Sequence, residues 1–361
     1  MVNENLGVLF RVKSGDGIAI SKLRPFGMYP VYGGNGINGY TSNYNVDGDT
    51  LVIGRVGEKC GNVNITSTKS WVSDNALIVI PKARYNIEYL SYLLEFLNLN
   101  DYANRNAQPV ISGQIIYAIE APYEDDEEHQ EEIACTLSQF DSYIDDLAEL
   151  IEKKKGIRDG AINDLLSGKT RLKGFGSPWK ESTLGTEFDV IMGSSPNSAS
   201  YNSARIGVPL VQGNADIENR VTAPRRYTSM PTKICEIGDT ILTVRAPVGS
   251  ASRANQRVCL GRGVCAISGS HKDFIYYLMR YHESAWESIE QGSTFTAVSG
   301  KEVRKFEIKI PEEGREQDSI ASILKSMDEE IRDLETERNK IIQIREGAMD
   351  DLLTGRVRLI K

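Results

Sequence analysis

Asp164-Leu165-Leu166-Ser167-Gly168-Lys169-Thr170-Arg171-Leu172 returns as Asp351-Leu352-Leu353-Thr354-Gly355-Arg356-Val357-Arg358-Leu359, an offset of 187 residues. The same offset pairs Ser112-Gly113 with Ser299-Gly300 and Gly160-Ala161 with Gly347-Ala348. It also carries Ile133, Leu137, Ile144 and Leu147 onto Ile320, Leu324, Ile331 and Leu334. A duplication of this length predicts two similar units and pseudo-twofold symmetry, so the function is one that comes in two halves.

The residues before each copy of the quoted stretch are periodic. Ile133, Leu137, Phe140, Ile144, Leu147 and Ile151 step by alternating fours and threes. So do Ile320, Leu324, Met327, Ile331, Leu334, Arg338, Ile341 and Arg345. That is the a/d spacing of a coiled-coil seam. A helix over 130–166 would run roughly 55 Å at about 1.5 Å per residue. Each segment is acidic and amphipathic, so it needs an apolar partner, and the other copy is the nearest. Lys154, Arg338 and Arg345 interrupt the stripes at positions that do not fully coincide, which helps fix register. The alternative is that each helix packs on its own domain.

Residues 1–123 and 173–311 are different in kind. The first holds strand-like runs, Thr50-Leu51-Val52-Ile53 and Ala76-Leu77-Ile78-Val79-Ile80, broken by Gly33-Gly34-Asn35-Gly36 and Asp47-Gly48-Asp49. A helix-like stretch follows from Tyr89 to Leu99. The second segment repeats the plan. Gly238-Asp239-Thr240 matches Gly48-Asp49-Thr50 at offset 190, placing Arg245 where Arg55 falls. Phe188 and Gly193 match Phe10 and Gly15 at offset 178, and Tyr276-Tyr277-Leu278-Met279 lies in a second helix-like stretch. Changing offsets mean loop insertions. The fold class is therefore α+β. Two mixed α/β domains, 1–123 and 173–311, are separated by helical spacers, 124–172 and 312–361, which form an antiparallel coiled coil.

The net charge of −8 conceals a division. Residues 124–172 carry −8 and 312–361 carry −4, whereas 1–123 are neutral and 173–311 carry +4. A DNA-binding surface needs local positive potential rather than a basic total, so nucleic acid stays open as a partner. Nothing near Met1 resembles a signal peptide, and no run approaches the roughly 20 apolar residues of a membrane span. The five cysteines (Cys60, Cys135, Cys235, Cys259, Cys265) show no CxxC spacing, and a reduced cytoplasmic chain is the simplest reading. His129, His271 and His282 show no metal-ligand spacing.

Catalytic motifs are missing. Ser167-Gly168-Lys169-Thr170 invites a phosphate-loop reading, but Asn163 stands where that motif needs its first glycine. The second copy reads Thr354-Gly355-Arg356-Val357. A helix C-terminal glycine accounts for both copies. Gly33-Gly34-Asn35-Gly36 lacks the GxGxxG spacing and reads as a glycine turn. No Asn-Pro-Pro-Tyr or Asp-Pro-Pro-Tyr tetrapeptide of adenine methyltransferases occurs. The Asp125-Asp126-Glu127-Glu128 run reads as a solvated helix start near the positive end of its dipole.

Two Gly/Asn-rich domains, each followed by a long helix ending in Leu-Leu-[Ser/Thr]-Gly, resemble the specificity subunit of a type I restriction–modification system over essentially the whole chain. Tyr29-Pro30-Val31-Tyr32-Gly33-Gly34-Asn35-Gly36-Ile37 resembles the glycine turn of that family's first target-recognition domain. Gly48-Asp49-Thr50 with Arg55, and Gly238-Asp239-Thr240 with Arg245, resemble its Gly-Asp strand motif. Ala107-Gln108-Pro109-Val110-Ile111-Ser112 and Ser293-Thr294-Phe295-Thr296-Ala297-Val298-Ser299 resemble the elements closing each domain, and Pro122 and Pro311 lead into the helices. One departure is the short N-terminal segment. Trp179 introduces the second domain, but no tryptophan precedes Leu6-Gly7, so the first domain is expected to lack the leading segment.

The resemblance implies a non-catalytic DNA reader. Each domain would read one half of a split, asymmetric target in double-stranded DNA, with the helices as a ruler. Two modification (methyltransferase) subunits would dock on the chain, and restriction (translocase/nuclease) subunits would join them. S-adenosylmethionine, ATP and Mg are expected on those partners, with no cofactor in this chain. Paired domains on a duplex should address half-sites about one helical turn apart. Groove edges are read by Arg, Asn, Gln, Ser or Lys. In the first domain the candidates are Asn35, Asn38, Tyr40, Asn43, Arg55, Lys59, Arg105 and Gln108. In the second they are Arg220, Arg225, Arg226, Arg245, Arg253 and Lys301. Each has two readings, a DNA contact or a surface charge or turn residue. Arg55 and Arg245 stand out because both copies keep them, and a supporting salt bridge would explain that equally. Two other functions stay in view, a nucleotide hydrolase built on Gly168-Lys169-Thr170 and a coiled-coil scaffold that does not touch DNA.

Overall fold

The structure, a computed structural model, describes residues 1–66, 68–82, 84–286 and 297–359. Ser293-Thr294-Phe295-Thr296 of the second closing element thus lie outside the described residues. The chain forms two compact units, one of residues 1–148 with 336–361, the other of residues 149–335. Both long helices, Glu127–Leu166 and Gly314–Leu353, give one half to each unit.

The first unit contains a four-stranded antiparallel sheet in the order Phe10–Ser14, Ala76–Pro81, Thr50–Gly54, Val63–Thr66. Its central strands read as unbroken apolar runs because both faces are covered. Leu51, Ile53, Leu77 and Val79 face a core built with the helix Ile87–Phe96, while Val52 and Ile78 face a second cluster with Val72 and Ala76. A smaller sheet sets Tyr29–Gly33 antiparallel to Gly36–Thr41 and parallel to Trp71–Val72. Gly48 adopts φ +83° in the turn before Thr50, a left-handed conformation that favours glycine.

The second unit repeats this order. Asp189–Met192, Val264–Ser268, Thr240–Thr243 and Ala251–Arg253 form its sheet, extended by Val221–Thr222 and Ile217–Glu218. Gly238 has φ +84°, the same turn as Gly48. Val208–Val211 lies antiparallel to Arg226–Thr228 and parallel to Val258–Leu260, repeating the pairing of Tyr29–Gly33. The insertions that shift the sequence offsets supply the additional strands.

The leading segment is present in both units, contrary to the expectation from the missing tryptophan. Val2–Asn5 pairs with Glu120–Tyr123 as Trp179–Thr183 pairs with Glu307–Pro311. Met1 takes the place of Trp179, its side chain lying against Gly355 as the indole lies against Gly168. The position needs an apolar cover over a helix-ending glycine, and methionine serves.

Those glycines end the long helices. Gly168 and Gly355 have φ +74° and +71°. Beyond them the Thr170 N–H donates to Asp164 O (3.1 Å) and the Val357 N–H to Asp351 O (3.2 Å). This is a Schellman-type C-cap, and Lys169 and Thr170 are exposed on it rather than curled around a phosphate. The paired leucines anchor each end, with Leu352 and Leu353 in the first unit's core and Leu165 and Leu166 in the second's.

The heptad stripe does two jobs. Ile133 and Leu137 lie in the first unit's domain core, and Ile320 and Leu324 in the second's. Further along, Leu147, Ile151 and Ile331 are buried, while Phe140, Ile144, Met327, Leu334 and Ile341 are half-buried. The helix halves run antiparallel in each unit. Asp141 meets Arg345 and Tyr143 meets Glu337 in the first unit; Lys154 meets Glu330 and Arg158 meets Asp328 in the second.

One cluster recurs in both units. Arg345 Nε donates to Asp141 Oδ1 (2.5 Å), and the Tyr92 hydroxyl donates to Asp141 Oδ2 (2.6 Å). In the second unit Arg158 Nη1 donates to Asp328 Oδ1 (3.0 Å), and the Tyr277 hydroxyl to Asp328 Oδ2 (2.7 Å). Both the Asp141/Asp328 and the Arg158/Arg345 pairs are related by the 187-residue offset. Each cluster ties one helix half to the other and to the domain helix that carries the tyrosine. Burial disfavours the Arg345 charge, but Asp141 and Glu95 outweigh it and raise the pKa. Arg345→Ala is expected to lower the unfolding free energy of the full chain by about 2 kcal/mol, the scale of a charged hydrogen bond. A double-mutant cycle with Asp141→Ala should give coupling, and strictly additive losses would refute a working pair.

Candidate nucleic-acid interface

In the first unit the hairpin of Tyr29–Gly33 and Gly36–Thr41 forms one wall of a shallow concavity of about 500 Å³. Asn35, Asn38, Lys59 and Gln108 line it together, four of the eight first-domain candidates. The glycine turn makes the shape possible. A Cβ on Gly34 would stand 2.4 Å from Val56 O, so any side chain there would push the hairpin off its neighbour. Asn35, Asn38, Lys59 and Gln108 are all exposed, with no side-chain hydrogen bond or ion pair among the described residues. With the exposed Asn75 the concavity holds four free amides, beside the Lys59 ammonium and the Glu58 carboxylate. Such a set suits base edges, since Asn and Gln can bond adenine N6 and N7 together and a carboxylate can accept from cytosine N4.

The other four candidates do not line this concavity. Arg55 is half-buried and donates to Ser14 Oγ (3.3 Å). Arg105 is held by Asn100, through the side-chain oxygen at 2.5 Å and the carbonyl at 3.2 Å. Tyr40 pairs through its backbone with Arg24, and Asn43 is exposed in the following loop.

In the second unit Arg225, Arg226, Arg245 and Lys301 are exposed, with no ion-pair partner among the described residues. Arg220 and Arg253 are engaged. Arg220 forms a forked pair with Glu283 (2.5 and 3.1 Å) and also donates to Ala251 O (3.1 Å). Arg253 pairs with Asp273 and lies 4.0 Å over the Tyr276 ring. Both line a cleft of about 680 Å³ with Arg158, Arg280, Lys325 and Asp328. There the cations are matched by carboxylates, as in a structural ion-pair network. The Asp273 carboxyl is partly buried, which would raise its pKa, but Arg253 and Lys325 hold it below the usual range.

Arg55 and Arg245 are not equivalent, which corrects the sequence match. The Ile111 N–H donates to Arg55 O (2.9 Å), whereas Val298, the counterpart of Ile111 at offset 187, donates to Val244 O (2.9 Å). The bridges agree, joining Val56 to Val110 and Arg245 to Ala297. Arg245 therefore stands where Val56 does. A one-residue shift in extended backbone turns a side chain to the opposite face, so the two arginines point differently.

Lys22, Arg24 and Arg205 are among the exposed cations outside the candidates that also lack ion-pair partners among the described residues. Among those residues no group of three or more His, Cys, Asp or Glu is placed to hold a metal ion, and no helix is long and apolar enough to cross a membrane.

Comparison with known proteins agrees with this geometry. The model for the type I restriction modification DNA specificity domain matches twice, over residues 2–155 and 176–344. The chain is 31% identical over 306 residues to the Methanocaldococcus jannaschii protein named "Putative type I restriction enzyme MjaX specificity subunit", covering 79% of this chain and 72% of that one. It is 29% identical over 164 residues to the Escherichia coli type I restriction enzyme EcoprrI specificity subunit, covering 44% of this chain and 41% of that one. Among solved structures, the S subunit of a Mycoplasma genitalium type I restriction–modification system shares the fold. The TM-score is 0.68 at 18% identity, covering 98% of this chain and 96% of that one.

Arg225→Ala with Arg226→Ala is expected to weaken duplex binding of the assembled protein evenly across sequences. The slope of log affinity against log salt should fall by about 2. Asn35→Ala with Gln108→Ala should instead relax base preference within one part of the target, leaving the slope alone. An unchanged slope in the first pair would exclude phosphate contact there.

Proposed function

Because the chain belongs to the type I restriction–modification DNA specificity family, we propose that it is the subunit that reads an asymmetric, two-part target in double-stranded DNA. The observation that carries this is the double use of one domain plan. Residues 1–123 and 173–311 share a strand order, yet their exposed loops carry different donors: amides around Lys59 in one, arginines in the other. Two frameworks with different reading surfaces suit two different half-sites. The helical segments 124–172 and 312–361 set the spacing between half-sites and seat two modification subunits. Those partners bring S-adenosylmethionine and methylate adenine; restriction subunits, using ATP and Mg, complete the complex. This chain contributes recognition and no catalytic group, and it acts in the cytoplasm.

Co-expression with the modification subunit, followed by genome-wide mapping of methylated adenine, is expected to return one bipartite motif with a fixed spacer. Exchanging residues 1–123 for the first domain of another family member should change one half of that motif and leave the other intact. Change in both halves, or in neither, would overturn the modular reading. The chain alone should neither methylate nor cut DNA, and either activity in the isolated protein would refute its non-catalytic role.

A further inference from the structure

We propose that each domain carries an apolar tip that inserts at a base-pair step of its own half-site. The tip is Phe26 with Met28 in the first domain and Ile206 with Met230 in the second. The inference rests on the DNA reading above and adds a mode of contact to it.

These side chains are unusually exposed for their size. Phe26 is 88% and Met28 74% exposed; Ile206 is 60% and Met230 65%. Apolar surface held in water is unfavourable, and clustered apolar exposure marks contact surfaces. The backbone beneath is clamped. The Arg24 N–H and C=O both pair with Tyr40, at 3.0 and 2.9 Å, and the Arg24 guanidinium caps Ser21 O and Leu23 O. In the second domain Asn202 grips Ile206 twice, accepting from its N–H and donating to its C=O, both at 2.9 Å. Arg205 is held at φ +60°, a conformation costly for a residue with a side chain. Gly207 follows at φ +89°, where a Cβ would stand 2.1 Å from Thr228 O. The chain thus fixes its backbone in order to hold an apolar side chain out.

The two tips occupy the same place in the fold. Phe26 and Met28 directly precede Tyr29–Gly33 and Ile206 directly precedes Val208–Val211, the strand in each domain that pairs antiparallel on one side and parallel on the other, while Met230 follows its antiparallel partner Arg226–Thr228. Exposed cations without ion-pair partners among the described residues lie near each tip in the chain: Lys22 and Arg24 before Phe26, Arg205 next to Ile206, and Arg225 and Arg226 on the segment leading to Met230. Such a neighbourhood fits a polymer that is anionic outside and apolar within. The cations take phosphates, and the tip reaches the stack between them.

The test uses the chain assembled with its modification subunits, on a duplex bearing the mapped target with 2-aminopurine placed step by step through each half. Phe26→Ala should weaken target binding about five- to hundredfold at fixed salt, the range for losing a stacking contact. It should abolish the 2-aminopurine response in one half only, and Ile206→Ala should do so in the other. Both should leave the salt slope and subunit assembly unchanged, and Phe26→Leu should recover much of the binding. Weaker binding with an unaltered 2-aminopurine response overturns insertion. Full DNA affinity with impaired assembly overturns it too, making the tips docking points for protein. If the unaltered assembly binds no duplex, the DNA reading itself falls and this inference falls with it.

Discussion

The Arg–Asp–Tyr cluster found in each unit governs most of what the long helices can do. A helical apolar stripe with period near 3.5 is almost indifferent to sliding by a heptad, because leucine meets leucine again after seven residues. Asp141 and Asp328 remove that freedom. Each carboxylate accepts from an arginine on the opposing helix and a tyrosine on its own domain. A slid helix would leave a partly buried charge unpaired, which is far worse than a shifted apolar contact. The polar residues in the seam therefore add register where the apolar residues add cohesion.

Much of the plan was visible in the chain. The 187-residue repeat anticipated two units, and the Gly-Asp-Thr matches anticipated equivalent turns, since only glycine holds φ near +84° without strain. The helix-ending role of Gly168 and Gly355 followed from the sequence too. What escaped was direction. Arg55 and Arg245 look paired by counting, but hydrogen-bond register puts them one residue apart, and counting cannot see a shift that small. Arg345 read as a break in a seam, although its own repeat partner, Arg158, does the same work. Met1 in the place of Trp179 escaped because the fold selects for apolar cover over a glycine rather than for a particular ring.

The cations divide in a way composition does not reveal. Arg158, Arg220, Arg253 and Arg280 all face carboxylates. Arg225, Arg226, Arg245 and Lys301 have no such partner among the described residues. A basic residue in a candidate surface gains meaning from what already holds it: a matched guanidinium must break an ion pair before it can bind anything else, while an unmatched one need only shed water. In this acidic chain the exposed cations without a carboxylate partner are the ones open to a further anionic contact.

The division of each long helix between units has a consequence for synthesis. Residues 149–335 are contiguous and can close on themselves once made, whereas residues 1–148 lack Leu352 and Leu353, which lie in their core. The domain that leaves the ribosome first is therefore finished last. Until the final helix half arrives, the apolar core that Leu352 and Leu353 complete, next to Ile133, stays open, during the interval when a nascent chain is most prone to aggregate. Losing the segment from 336 onward would strip the earliest-made domain of part of its core while leaving the later-made one whole.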